Sequence, residues 1–478
     1  MSELVVASNR GPFSLAENGD GTIEVRPAAG GLAPSLAAAL AAPPETAGPA
    51  TGAPGDVVWV AAPMNDLERR AAGEPALSTE LPGLELRLVE LEASTYAAAY
   101  DVVANSTLWF CFHGLFDAPR RPVFDASWRA AWEEFRRYNA AFAERICDEA
   151  GAGGRVLVND YHLPLVGRMI AERRPDLATV HFTHTPFASA EELAILPRDT
   201  RRELLEGMSG FGACGFHTRR WEERFRRTAA LAGSAVPATF TAGLGADADR
   251  LREVAGGAEC EARLAALEEL VAGRVMLLRS DRVELSKNLL RGFIAFDALL
   301  EERRELRGRV CFVARGYASR EGLPEYLAYR SEVEHLVEWL NEKWSPLCGG
   351  EAPIVLDLED DFASTAAAYR RYDVLVVNPL RDGMNLVAKE GPILNERDGL
   401  LVCSEEAGAY EELGEVCLGV QPFDVSDTAA AFSRALDMAP EERSRRAAEL
   451  RRRCARTPPA AWLDQVLAAA RVPGPQAA

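Results

Sequence analysis

The sequence predicts an α/β fold: two successive units, each a mostly parallel sheet covered by helices, with a cleft between them. Three observations carry this. Short apolar runs recur along the chain between helical stretches, and runs without polar alternation belong to strands buried on both faces. The alternation pauses at residues 237–247, a segment holding Gly243 and Gly245, and then restarts. Finally, 478 residues are too many for one compact core.

In the first unit, Leu4-Val5-Val6-Ala7 reads as a strand ending in Ser8-Asn9-Arg10-Gly11-Pro12. Asn18-Gly19-Asp20-Gly21 suits a hairpin turn. The pair Gly30-Gly31 opens an Ala/Leu helix, where glycine lets backbone approach a ligand, although packing explains it equally well. Residues 43–55 form a Pro/Gly/Ala-rich loop. Strands follow at 57–60 and 84–91, then a helix near 96–104. Leu108-Trp109-Phe110-Cys111-Phe112-His113 suits a buried aromatic core with a satisfied His. A long amphipathic helix covers 128–150. Two further strands run into polar clusters, Asn159-Asp160-Tyr161-His162 and His184-Thr185-Pro186-Phe187. Ionisable residues at the carboxyl ends of neighbouring parallel strands gather at the edge where such sheets bind ligands. A strand at 211–216 and a helix from Thr218 complete the unit.

In the second unit, strands are expected at 275–278, 310–313, 354–356, 374–377 and 400–402. The richest stretch is Val374-Leu375-Val376-Val377-Asn378-Pro379-Leu380-Arg381-Asp382-Gly383-Met384-Asn385. A buried strand is stopped by Pro, turned by Asp-Gly, and followed by a helix with Asn385 as its cap. Such a turn aims free amides and the positive dipole end at one point, a natural place for a diphosphate. Asp382 and Glu390 then lie within reach of sugar hydroxyls. The Arg-rich helical stretch 441–456 reads as a solvated surface. The resulting division is 1–240, 241–455, and a C-terminal helix and tail at 456–478.

A formal charge of -19 argues against nucleic acid or an anionic membrane as partner. No apolar run is long enough to span a bilayer and no leader precedes the first strand, so a cytoplasmic protein is expected. Of 53 basic residues three are lysines, Lys287, Lys343 and Lys389, which singles out places where a compact ammonium is needed. Lys343 reads as a solvated helix residue. The nine cysteines include no C-x-x-C, so buried thiols are expected rather than disulfides or zinc.

Taken together, these pieces resemble the trehalose-6-phosphate synthases, retaining glycosyltransferases of the GT-B type with two Rossmann-like domains facing across a deep cleft. The resemblance runs over residues 4–465. It rests on Ser8-Asn9-Arg10, Gly30-Gly31-Leu32, Asn159-Asp160-Tyr161-His162-Leu163, His184-Thr185-Pro186-Phe187, Asp281 to Lys287, and Leu380 to Glu390. It implies that Arg282 and Lys287 hold the donor's diphosphate and stabilise its growing charge, helped by the amides of Gly383, Met384, Asn385 and Leu386. It implies that Asp382 and His184 bind the donor glucose, that Glu390 binds the ribose, and that Gly31 lies beside the donor sugar. It places Arg10, Tyr100, Asp160 and Arg320 around glucose 6-phosphate. The small-molecule partners implied are a nucleotide-glucose and glucose 6-phosphate, with no metal and no other cofactor; a homo-oligomer is left open.

The chain also departs from the family. Trp59-Val60-Ala61-Ala62 lacks the second Trp of Trp-x-Gly-Trp, and Asp-Tyr-Ser-Lys-Gly becomes Glu284-Leu285-Ser286-Lys287-Asn288. Asn395-Glu396-Arg397-Asp398 and Pro422-Phe423-Asp424 resemble the validoxylamine phosphate synthases, which also place Asn after the Lys. The expected donor is therefore GDP-glucose or UDP-glucose, with a slight preference for GDP. Two alternatives remain: pseudo-glycosyl transfer joining a GDP-cyclitol to an aminocyclitol phosphate, and a catalytically idle sugar-phosphate sensor. Intact Asp-Gly-Met-Asn and Asp-Tyr-His-Leu favour true glucosyl transfer, and the full set of charged residues argues against the sensor.

Overall fold

The computed structural model describes residues 2–17, 23–27, 36–37, 40, 57–73, 77–78, 81 and 83–474. The hairpin turn at 18–21, the Gly30-Gly31 entry and the loop 43–55 lie outside them. The chain divides into two compact units, residues 1–243 with 459–478, and residues 244–458.

The first unit is built on a sheet of eight strands: β1 (Ser2–Ser8), β4 (Val57–Ala61), β5 (Leu77–Ser78), β6 (Leu84–Leu88), β7 (Ala150–Asn159), β8 (Ala178–Thr183), β9 (Ala213–Phe216) and β10 (Ala238–Thr241). Their order is β10-β9-β8-β7-β1-β4-β6-β5, and all pairings but β5–β6 are parallel. From β1 the chain first builds outward through β4 and β6, then returns to β7 on the other side. The switch point therefore lies between β1 and β7, where Asn9-Arg10 and Asp160 emerge. β2 (Phe13–Glu17) and β3 (Ile23–Pro27) pair antiparallel, as the hairpin signal requires.

The segment 108–113 is helical. It closes one continuous helix from Ala93 to His113 whose middle, Ala98–Leu108, is π-helical. His113 Nδ1 lies 2.9 Å from the Trp109 carbonyl, so the His is satisfied inside an aromatic core.

The C-terminal stretch is not a separate piece. Helix Pro459–Ala469 belongs to the first unit because Trp462, fully buried, packs edge-on against Phe182 with ring centroids 4.8 Å apart. The Arg471 carbonyl then accepts the Thr179 amide at 3.0 Å. A Cβ on Gly212 would lie 1.8 Å from that carbonyl. Gly212→Ala is expected to cost about 1–3 kcal/mol by overpacking. A lowered first-unit melting transition checks this; an unchanged one would contradict the docking.

The second unit carries β11 (Val275–Val283), β12 (Val310–Ala318), β13 (Ile354–Asp357), β14 (Val374–Val377), β15 (Leu400–Ser404) and β16 (Leu418–Val420) in the all-parallel order β13-β12-β11-β14-β15-β16. Alternate residues feed opposite cores: Val374 and Val376 enter one apolar cluster, Leu375 and Val377 the other. This two-sided burial is why β14 reads as uninterrupted hydrophobic sequence. The switch point falls between β11 and β14.

Lys343 is not simply solvated. Its ammonium lies 2.7 Å from Asp297 and 4.7 Å from the Trp344 ring centre. Nor is the Arg-rich helix Pro440–Cys454 only surface, since Arg443 donates to the Asp373 carbonyl and Arg451 to that of Asn395. Among the described residues, no helix is long and apolar enough to cross a membrane.

Candidate active site

Each sheet presents a polar cluster at its switch point. In the second unit, β11 delivers Asp281 and Arg282, and the chain then turns through Leu285–Lys287. Leu380 donates its amide to the Ser286 carbonyl at 2.8 Å, which draws the loop after β14 against this turn. Asn288, with a left-handed φ of 59°, donates to the carbonyls of Asn378 and Pro422 at 3.0 and 2.8 Å. The outcome is Lys287 Nζ 2.6 Å from Asp382. Burial works to lower the lysine's pKa, but Asp382, Asp281 and Glu284 outweigh it and push it up, so the ammonium stays charged.

The turn before helix Val387–Leu394 is pinned from behind. Asp382 donates its amide to Glu406, and Ala409 donates to the Met384 carbonyl at 2.7 Å. Gly408 is obligatory, because a Cβ there would lie 1.9 Å from the Gly383 carbonyl. The helix starts one residue later than the sequence suggests. Asn385 adopts a left-handed φ of 75° and sits just before the cap, its Oδ1 accepting the Ala388 amide at 3.2 Å. The first-turn amides, preceding the earliest intrahelical bonds to Leu386, point out of the N-terminus.

Glu390 lies behind them, 3.4 Å from the Tyr369 hydroxyl. Burial, opposed by Tyr369 and Arg250, pushes its pKa up to about 7. Lys389 is buried and structural, donating to the Leu244 carbonyl and to Glu412 at 2.8 Å each. Arg320 lies beyond β12 with a left-handed φ of 49° and pairs with Glu284 at 3.2 Å.

In the first unit, Asn9 accepts a hydrogen bond from the Tyr138 hydroxyl at 2.8 Å, which fixes the turn into exposed Arg10. Arg10 borders a cavity of about 180 Å³ together with Gly11, Ala62, Met64, Asn65 and Leu88. Ala62, where the resemblance would put Trp, is buried in the wall of that cavity. Tyr100, in the π-helical segment, stacks on Tyr96 and on His162 with centroids 5.2 and 5.8 Å apart. Asp160 has a left-handed φ of 71°, and its carboxylate accepts the His184 amide at 3.2 Å.

His184 Nε2 lies 3.0 Å from Asn159 Oδ1, and its Nδ1 lies 3.2 Å from His217 Nε2. Asn159 donates its Nδ2 to the Ala7 carbonyl, so its oxygen faces the imidazole. The network then assigns the proton of His184 to Nε2 and has His217 donate to Nδ1. Burial, with His217 and His181 adding to it, holds the His184 pKa well below the usual value, and the ring is neutral.

The structure gathers Arg282, Lys287, Asp382, Gly383, Met384, Asn385, Leu386, Glu390 and Arg320 at the edge of the second unit's sheet, and Arg10, Tyr100, Asp160 and His184 at the edge of the first unit's. Gly31 lies outside the described residues. Sequence reasoning missed His217, although this residue follows β9 as His184 follows β8, and the same strand-end signal applied. It also missed Glu284 as the carboxylate beneath two arginines.

The sequence matches the family model for glycosyltransferase family 20 over residues 2–471. A trehalose-6-phosphate synthase of Mycolicibacterium vanbaalenii is 32% identical, covering 94% of this chain and 92% of that protein. A bifunctional trehalose-6-phosphate synthase/phosphatase of Thermoproteus tenax is also 32% identical, but the chain spans only 60% of its length. Among solved structures, the E. coli trehalose-6-phosphate structure bound with UDP-2-fluoro glucose matches with a TM-score of 0.82 at 26% identity, covering 97% of this chain and 98% of that one. The match agrees with the GT-B class. The chain belongs to glycosyltransferase family 20, and within it to the trehalose-6-phosphate synthases.

Proposed function

We propose that the chain transfers glucose from GDP-glucose or UDP-glucose to the anomeric hydroxyl of glucose 6-phosphate, with retention, giving α,α-trehalose 6-phosphate. The observation that carries this is the second unit's switch point. Lys287, Arg282 and a helix N-terminus converge there beside Asp382, on a chain whose overall charge is -19. That is a local anion site in an acidic protein, and the relatives' names supply the sugar chemistry.

In this reading Arg282, Lys287 and the amides of Gly383 to Leu386 take the diphosphate, without a metal. Asp382 orients the glucose, with His184 as a neutral contact. Glu390 accepts from the ribose. Arg10 and Arg320 take the acceptor phosphate, with Tyr100 and Asp160 around its ring. The bond from the anomeric carbon to the phosphate oxygen breaks through an oxocarbenium-like state. The acceptor oxygen bonds to the same face, and its proton passes to the departing phosphate oxygen. Positioning and charge stabilisation supply the rate.

The test is nucleotide release from each donor, with and without glucose 6-phosphate. Acceptor-dependent release with one donor supports the reading and identifies the base. Silence with both would overturn it in favour of cyclitol substrates.

A pH dependence follows from Glu390. Its carboxyl is neutral below about 7 in the free protein, and a ribose diol requires the ionised acceptor. Donor binding therefore releases a proton. The donor Kd should rise by up to about tenfold per pH unit below 7 and be flat above it. Calorimetric titration from pH 5.5 to 8.5 measures this, and Glu390→Gln should bind weakly at every pH. A flat wild-type profile would remove Glu390 from the ribose.

A further inference from the structure

We infer that Glu284 is a positioning residue that holds Arg282 and Arg320 in one frame, tying the acceptor-phosphate grip to the donor-diphosphate grip. The inference rests on the proposed function for the identity of the two anions; the geometry beneath it is independent. Glu284 is wholly buried and lies beneath Arg282 and Arg320, directly after β11. Its Oε2 is 3.2 Å from Arg320 Nη1, and its Oε1 is 3.6 Å from Arg282 Nη2. Ser286 donates its hydroxyl to Oε1 at 2.8 Å, which orients the carboxylate toward the two guanidiniums.

Arg320 is held on its other side as well. The same Nη1 donates to the Tyr326 hydroxyl at 2.6 Å, and the Arg320 Cζ lies 5.4 Å from the centre of that ring. The backbone accommodates this arrangement at a cost. A positive φ is unfavourable for Arg, and among the described residues six non-glycine positions adopt one. Three of them, Asp160, Asn288 and Asn385, lie in loops at the two switch points, and Arg320 follows the neighbouring strand β12. Strain concentrated in this way marks geometry retained for function.

The charge state supports the role. Burial alone would raise the Glu284 pKa, but Arg282, Arg320 and Lys287 outweigh it and bring it down to about 2. A fixed anion here lowers the repulsion between two neighbouring guanidiniums. It also weakens the positive potential offered to phosphates. These effects oppose each other, and positioning outweighs the lost potential.

The experiment compares wild type with Glu284→Gln, Glu284→Asp and Ser286→Ala. Calorimetry measures the active nucleotide-glucose and glucose 6-phosphate separately, and thermal melting monitors the fold. Glu284→Gln is expected to weaken both ligands by about tenfold or more, as loss of a charge-assisted contact predicts. Ser286→Ala, which keeps the charge, should fall between it and wild type and covers the case in which Glu284→Gln fails to fold. Combining Glu284→Gln with Arg320→Ala should weaken glucose 6-phosphate no further than Arg320→Ala alone, because Glu284 acts on that ligand through Arg320. A purely structural role would instead make the losses additive. Unchanged or tighter binding by Glu284→Gln or Ser286→Ala, or additivity, would overturn the inference and leave the proposed function standing. Failure of wild type to bind either ligand would overturn both.

Discussion

Replacing Lys287 by Ala is expected to lower turnover by about 10²–10³-fold, the usual consequence of removing one preorganised group from a site of developing charge. The ammonium is fixed before substrate arrives, 2.6 Å from Asp382 and charged despite its burial. As the bond to the anomeric carbon breaks, negative charge grows on the departing diphosphate, and a point charge at this position gains most at the transition state. The loss should fall on kcat and kcat/KM together, with a smaller effect on donor affinity because Arg282 remains. Lys287→Arg should not restore turnover, since a planar guanidinium cannot occupy the space of a compact ammonium. Steady-state kinetics decide the matter. A Lys287→Ala enzyme within threefold of wild type would remove this residue from the chemistry.

Asp382→Ala should damage both stability and activity, for separable reasons. Without the carboxylate, Lys287 is left as a largely buried charge whose principal partner has gone. Stranding one member of a buried pair costs ~3–5 kcal/mol, and the lower end applies here because the two side chains keep 13% and 17% of their exposure. The Asn385 amide also loses its acceptor at 3.1 Å. Asp382→Asn restores an oxygen to both partners and should recover much of the melting temperature. It should not recover sugar transfer, which stays at least tenfold below wild type because the amide is a weaker acceptor for hydroxyls. Melting curves and kinetics of the two variants separate these effects. Full activity in Asp382→Asn would show that the charge is not needed for glucose.

The second unit was the more legible because its strands are covered on both sides and so write themselves as apolar runs. β16 is a three-residue edge strand and β10 is half-buried, with no such run to announce it. Helix Pro459–Ala469 has an ordinary amphipathic pattern, and its membership of the first unit depends on Trp462 meeting Phe182, a contact nearly 300 residues apart in sequence and invisible to local patterning. In the site, strand-end chemistry singled out Asp160, His184 and Asp382, and the family resemblance added Arg282. What neither could show was how they are held. The left-handed backbone of Arg320, the π-helical segment carrying Tyr100, and the bonding of His184 to both Asn159 and His217 all arise from tertiary packing. Glu284 was in view only as a departure from the family's Asp. That it lies under two arginines follows from β11 and β12 being neighbours, which a single sequence does not state.

The most direct test of the account is the anomeric configuration of the product. The purified chain is incubated with the active nucleotide-glucose and glucose 6-phosphate, and the disaccharide phosphate is examined by NMR. One product is expected, with small anomeric couplings on both rings, the signature of an α,α linkage formed with retention. A β-linked product, or free glucose with no disaccharide, would contradict it.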